Sequence, residues 1–339
     1  MQGVPLTFSH LITTFDAHTA GEPVRVVVAG LPYIRGDSMV EKKKYFIDNM
    51  DQTRRLLMLE PRGHSDMCGA VLTEPTMDDC DLGVIFLDSG GYLDMCVHGS
   101  IGVAKVAIET GLIKTTEPAT LVNLDTPAGT VRAEAVVKGN HVGAITIRNV
   151  PSFLCRSDVN IESPEFGSVK VDIAFGGNFY AIVDAKELGT RVESKYADKL
   201  VSLGIAIRNT VNEKIKVEHP LEQHINRINL VEICDRPREP NSTYRNTVVF
   251  GAGQLDRSPC GTGTCAKMAT LHAKGALRIG EQIVSESIIG TLFRGRIVGE
   301  TRIGGFKAII PEISGEAYLT GIHQFVMEPG DPLRDGFLV

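Results

Sequence analysis

The sequence predicts an α+β fold in two pseudo-symmetric halves. Two observations predict it. Strands and helices come in mixed order rather than in a regular βαβ succession, and a cysteine-bearing segment near residue 96 is matched by another 164 residues later. The composition agrees, because 43% hydrophobic and 22% charged residues over 339 positions suffice for one large or two medium domains with a real core.

Taken in order, residues 24–29, 82–87, 131–137 and 143–147 read as strands, being rich in β-branched side chains. Residues 42–59 read as a helix, and 196–216 as another, with Leu200, Leu203, Ile205 and Val211 as its apolar positions. Strands are expected again at 169–173, 179–183, 230–233, 247–250, 288–293 and 317–321.

The internal match is gapless. Cys96-Val97-His98-Gly99-Ser100 lies on Cys260-Gly261-Thr262-Gly263-Thr264, so Gly99 meets Gly263 and Gly111 meets Gly275. Between these points 101–110 and 265–274 read as short apolar helices ended by glycine. A strand–turn–strand segment follows each, at 120–133 and 282–298. A duplicated unit is the simplest account.

Each copy places a cysteine before a turn that opens a helix. Unsatisfied N–H groups at such a start favour a thiolate and also cradle a carboxylate. Two thiols on opposite faces of one bound carboxylate are what inversion at an α-carbon needs, one removing a proton and the other returning one. The remaining cysteines, Cys68, Cys80, Cys155, Cys234 and Cys265, read as packing, as lone cysteines usually do.

Other classes fit less well. His98 beside Cys96 would suit a hydrolytic Cys/His pair, but the second copy has Thr262 at that place. Gly251-Ala252-Gly253 and Gly261-Thr262-Gly263 lack the strand-to-helix context of a dinucleotide site. The net charge of -6 argues against nucleic acid, and Lys42-Lys43-Lys44 is a short solvated run. No CxxC pair suggests structural zinc. No segment reaches the roughly 18–20 apolar residues of a membrane span, and residues 1–11 lack the pattern of a leader. A cytoplasmic location with reduced thiols is the expectation.

Asp94-Met95-Cys96-Val97-His98-Gly99 and Asp256-Arg257-Ser258-Pro259-Cys260-Gly261-Thr262-Gly263-Thr264 resemble the two catalytic motifs of the proline racemase family. Asp16–Pro23, Glu60–Met67 and Phe175–Tyr180 extend the resemblance over nearly the whole chain. It implies two halves, each a curved mixed sheet wrapped around a central helix (diaminopimelate epimerase-like), with the active site in the cleft between them. Residues 1–127 would form the first half, completed by 322–339, and 128–321 the second. It implies a homodimer, no cofactor and no metal, and an imino acid as substrate. A non-catalytic imino-acid binding protein is the contrasting class, though binding alone would need no second thiol.

Position by position, the resemblance implies Cys96 and Cys260 as the acid/base thiols. Val97, His98, Gly99, Gly261, Thr262 and Gly263 would line the carboxylate, and Asp256, helped by His98, would bind the ring nitrogen. Val97 departs from the glycine usual there and would be strained at positive φ. The family's dehydratases replace the first cysteine, so retaining Cys96 argues for inversion. Leu93, Leu230 and Phe250 imply an apolar pocket suited to proline, because a buried substrate hydroxyl there would lose hydrogen bonds at about 1–3 kcal/mol. Cys68, where proline racemases often have phenylalanine, leaves room for 4-hydroxyproline, and 4-hydroxyproline 2-epimerase is the alternative.

Overall fold

The computed structural model describes residues 10–139 and 141–339; most of the stretch read as leader-free, residues 1–9, lies outside the described residues. In the first half β1 (His10–Thr19), β2 (Glu22–Ala29), α1 (Met39–Met58), β3 (Cys68–Thr73), β4 (Leu82–Asp88) and the short β5 (Tyr92–Leu93) lead into α2 (Val97–Glu109). Then come β6 (Ala119–Thr126), β7 (Gly129–Lys138) and β8 (His141–Arg148). The second half runs β9 (Ser152–Ser163), β10 (Gly167–Phe175), β11 (Phe179–Asp184), α3 (Ala197–Lys214), β12 (Ile228–Asp235), β13 (Tyr244–Phe250) and β14 (Gln254–Leu255). It continues through α4 (Gly261–Ala273), β15 (Gln282–Glu286), β16 (Leu292–Ile303) and β17 (Phe306–Gly315), and β18 (Ala317–Met327) returns to the first half.

The fold is α+β, and each sheet curls around one helix. In the second half pairing runs β9–β10–β11–β12–β13–β15–β16–β17 and back to β9, a closed ring. In the first half β1, β2, β3, β4, β6, β7 and β8 follow one another. The chain from Glu312 onward closes that ring: β17 pairs with β8 and, past a bend at Glu316, β18 pairs with β1. α2 fills the first ring and α4 the second, and the two helices touch.

The central helices are largely apolar because sheet surrounds most of their length. Every residue of α2 from Val97 to Ile108 is buried, and burying each of Ile101, Val103, Val106 and Ile108 stabilises by about 1.5–3 kcal/mol. Lys105 is tolerated there because its Nζ donates to Val142 O at 2.7 Å and pairs with Glu109 at 2.6 Å. α1 instead packs outside its sheet, burying Phe46, Met50 and Leu57 while its lysines point outward or find partners. Ser38 caps it by accepting from Glu41 N.

Two expectations shift. Both central helices begin directly after their cysteines, so the turn residues 97–100 and 261–264 form the first helical turn. Residues 288–291 are a turn rather than a strand. Gly290, at φ 88, and the Ser287–Thr291 hydroxyl pair make the β15–β16 connection, and β16 starts only at Leu292.

Candidate active site

The two cysteines occupy equivalent places. Cys96 is the N-cap of α2 and Cys260 that of α4, and both helices are 13 residues long. Gly111 and Gly275 follow at φ 76 and 73. A Cβ on Gly99 would come 3.1 Å from Cys96 Sγ, and one on Gly263 would come 3.2 Å from Cys260 Sγ. Each sulfur thus lies against a glycine of its own first turn, which is why both copies carry glycine there.

The copies differ in detail. Cys96 is extended (φ -146) and its Sγ accepts from Gly99 N at 3.3 Å. The imidazole of His98 is 3.3 Å from the same sulfur. Cys260 has φ 52, which costs a side-chain-bearing residue about 1–3 kcal/mol. The surroundings enforce it: Cys260 N donates to Ser258 Oγ at 3.1 Å, and Asn246 holds Pro259 O at 3.0 Å. Tyr180 takes the place near Cys260 that His98 takes near Cys96. Its hydroxyl is 3.5 Å from Cys260 Sγ and 2.6 Å from Thr262 Oγ1.

The loops meet at the junction of the halves. A Cβ on Gly261 would lie 2.3 Å from Val97 Cγ1, so Val97 occupies the space that Gly261 leaves. Val97 is helical, without the positive φ that would have strained it. Gly176 and Gly177 thread between the loops. A Cβ on the first would strike Thr262 O at 2.2 Å and one on the second Met95 at 2.8 Å, while Asn178 Nδ2 donates to Met95 O at 2.7 Å. Thr19 Oγ1 donates to His98 O at 2.9 Å and fixes the first turn of α2.

Asp256 is buried, and its Oδ1 accepts from Ser258 N at 2.8 Å. Its charge reaches both thiols and His98. Burial pushes both thiols up and Asp256 adds to this; at Cys96 the Gly99 N–H works the other way. Burial, not the helix start, therefore governs both thiols, the reverse of the shift expected from helix position alone. Burial also keeps His98 neutral by pushing it down.

Cys68 is buried with its Sγ 3.5 Å from Glu22 Oε1. Leu230 lies beside Tyr180 in register, and Phe250 ends β13; both are buried. Leu93 lines a cavity of about 280 Å³ between the halves with Asp88 and Tyr92 on one side and Arg208, Arg227, Asn229 and Gly251 on the other. Of the expected pocket residues only Leu93 lines this cavity; Leu230 and Phe250 are chain neighbours of the lining Asn229 and Gly251, and neither they, Cys68 nor the two thiols line it.

Two residues escaped the sequence reading. Tyr180 lies inside a quoted motif, but only the β11 register turns it toward α4. Glu22 also lies in a quoted motif. Its Oε2 accepts from Arg257 N at 2.7 Å, linking β2 to the segment before Cys260. Burial and Asp256 push Glu22 well above the usual carboxylate range. Nothing about a glutamate before Pro23 signals either contact.

A family model described as proline racemase matches residues 14–338. The chain is 53% identical to a proline racemase of Acetoanaerobium sticklandii over 335 residues, 98% of this chain and 100% of that one. It is 50% identical to a proline racemase of Clostridioides difficile over 334 residues, again 98% and 100%. Among solved structures, a hydroxyproline epimerase from Agrobacterium vitis with bound trans-4-hydroxy-L-proline superposes with a TM-score of 0.93 at 34% identity, covering 98% of this chain and 97% of that one.

Proposed function

The chain belongs to the proline racemase family, an amino-acid isomerase by its relatives' names, and from that premise we propose that it interconverts L- and D-proline between two thiols, Cys96 and Cys260. One observation carries the assignment. The two cysteines are the N-caps of paired central helices whose first turns touch at Val97 and Gly261.

The substrate carboxylate lies against the N–H groups of both first turns, at Val97, His98 and Gly99 on one side and Gly261, Thr262 and Gly263 on the other. The ring ammonium faces Asp256, with neutral His98 beside it. Burial raises both thiols, so the thiolate needs a cation nearby, and the ammonium supplies it. One sulfur, as thiolate, takes the α-proton. The electron pair left on carbon spreads into the carboxylate, where the helix-end N–H groups stabilise the added charge. The second sulfur, as thiol, delivers its proton to the opposite face. The pair ends with its protonation states exchanged, ready for the other enantiomer, and the chemistry calls on no cofactor.

Incubation with L-proline in D₂O tests this. Deuterium should enter the α-position as optical rotation decays, and Cys96→Ser or Cys260→Ser should each lower the rate by at least a hundredfold. Full activity in either variant removes that residue from its role.

A second reading, 4-hydroxyproline 2-epimerase, draws support from small Cys68 and from the polar Asn229 and arginines beside Leu93. Leu93, Leu230 and Phe250 favour proline. The ratio of kcat/KM for L-proline and trans-4-hydroxy-L-proline decides between them.

The reading extends to a homodimer in the cytoplasm; its halves divide between β8 and β9 rather than at 127/128, because β7 and β8 pair within the first ring, and β18, from Ala317 rather than from 322, returns to it. All seven cysteines are unpaired, as suits a reducing compartment. No helix among the described residues is long and apolar enough to cross a membrane. Exposed Leu319, Ile322 and Val326 on β18 offer an apolar face to a second copy. Sedimentation of the purified chain at twice the monomer mass would bear out the dimer.

A further inference from the structure

Glu22, Cys68 and His98 lie far apart in the chain, yet one ligand atom from each falls within 4.8 Å of the other two. All three are buried, at 0%, 3% and 5% exposure. The Cys68 thiol points at Glu22 Oε1 across 3.5 Å, while the other carboxylate oxygen is taken by Arg257 N. Cys96 Sγ, 3.3 Å from His98 Nδ1, is the next soft donor.

We propose that Glu22, Cys68 and His98 form a binding site for a thiophilic divalent cation, Zn²⁺ by preference, and that the bound ion shuts the pocket reversibly. The donor set argues for the ion. Thiolate and imidazole together reject Ca²⁺ and Mg²⁺, which take oxygen, and a mixed S, N, O set suits tetrahedral zinc. The spacing is right as well. Neighbouring ligands around tetrahedral zinc, bound at about 2.0–2.3 Å, stand roughly 3.5 Å apart, as Cys68–Glu22 and Cys96–His98 do. Small movements of side chains would close the remaining gaps.

The site is also rich in buried acid: Glu22 and Asp256 are both buried, and a dication would be their counter-charge. On binding, the thiol of Cys68 gives up its proton to solvent and its sulfur becomes a ligand; no oxidant or reductant takes part. Its effect on turnover rests on the function proposed above, because the ion would occupy the ground where His98 and Asp256 meet the ring nitrogen and would engage Cys96.

Co²⁺ and Zn²⁺ titrations of the full chain test the site without any turnover. One equivalent of Co²⁺ should produce the near-ultraviolet charge-transfer band of a cobalt thiolate. Cys68→Ser and Cys68→Ala should each weaken Zn²⁺, measured against a competing chelator, by tenfold or more. Either variant suffices if the other fails to fold. Zn²⁺ should inhibit racemisation, EDTA should restore it, and the inhibition constant should rise in the variants by the same factor. No cobalt band in the unmodified chain, or Zn²⁺ binding in a folded Cys68 variant equal to that of the parent, overturns the site. A chain that shows the band but never racemises proline keeps the site and refutes the function instead. Racemisation without the band does the converse.

Discussion

A side chain at Gly261 would overlap Val97, with its Cβ 2.3 Å from Cγ1, although the two residues belong to different halves. Gly261→Ala should therefore push the helix starts apart and lower kcat by tenfold or more, with little change in folding. Val97→Ala alone should be mild, and adding it to Gly261→Ala should recover much of the loss. A double-mutant cycle on kcat measures this coupling, and purely additive effects would show that the contact does not set the spacing of the sulfurs. The two cysteines were legible in the sequence because duplication repeats their context. The partners of each thiol were less so. His98 is two residues from Cys96, whereas Tyr180 reaches Cys260 only through sheet register, and Glu22 meets Cys68 across 46 positions. Local spacing carries no signal for such contacts.

The central helices were readable as elements because both are followed by glycine and are largely apolar. Their starts were placed too late because a Gly/Ser/Thr-rich stretch resembles a turn whether or not it is the first turn of a helix. The turn at 288–291 shows the opposite error, since Ile288 and Ile289 have strand character but precede Gly290 at φ 88. Just ahead of α2, Asp94 ties three elements together. Its Oδ1 accepts from Lys43 of α1 at 2.7 Å and lies 3.4 Å from His224 Nε2, in the loop after α3. Burial would raise Asp94, but the His224 hydrogen bond and Lys43 outweigh it and hold the carboxyl below its ordinary value of 3.8. A depressed folded-state pKa stabilises above the unfolded value and is lost as pH falls through the folded one. Asp94→Asn, which leaves the Lys43 ammonium, its side chain only 14% exposed, without its counter-charge, should cost about 2–3 kcal/mol at pH 7. Denaturant unfolding at decreasing pH should show the gap between parent and variant closing below the ordinary value of 3.8. A gap independent of pH would mean that the clamp acts through packing alone.

For the molecule as a whole, the mixed order of elements and the duplication indicated two α+β halves, while the resemblance supplied the curved sheets around central helices. Which strand closes which ring was not legible. Pairs such as β1–β18 and β8–β17 join residues more than 160 positions apart, and strand patterning says which face is buried, not which neighbour is chosen. Ending the chain after Gly315 should leave β1 without one of its two partners and open the first ring onto α2. Hydrogen exchange should then show lost protection in β1 and α2 with more of it kept in the second ring, and uniform loss would show that the rings do not fold as separable units. The bend at Glu316 has a further consequence for synthesis on the ribosome. α2, with hardly a polar surface of its own, leaves the exit tunnel about two hundred residues before the strand that finishes its enclosure. At roughly 5–20 residues per second, the nascent chain must carry that exposed apolar segment for some tens of seconds. That interval is where a trigger-type chaperone would act and where slowing translation would do the most harm.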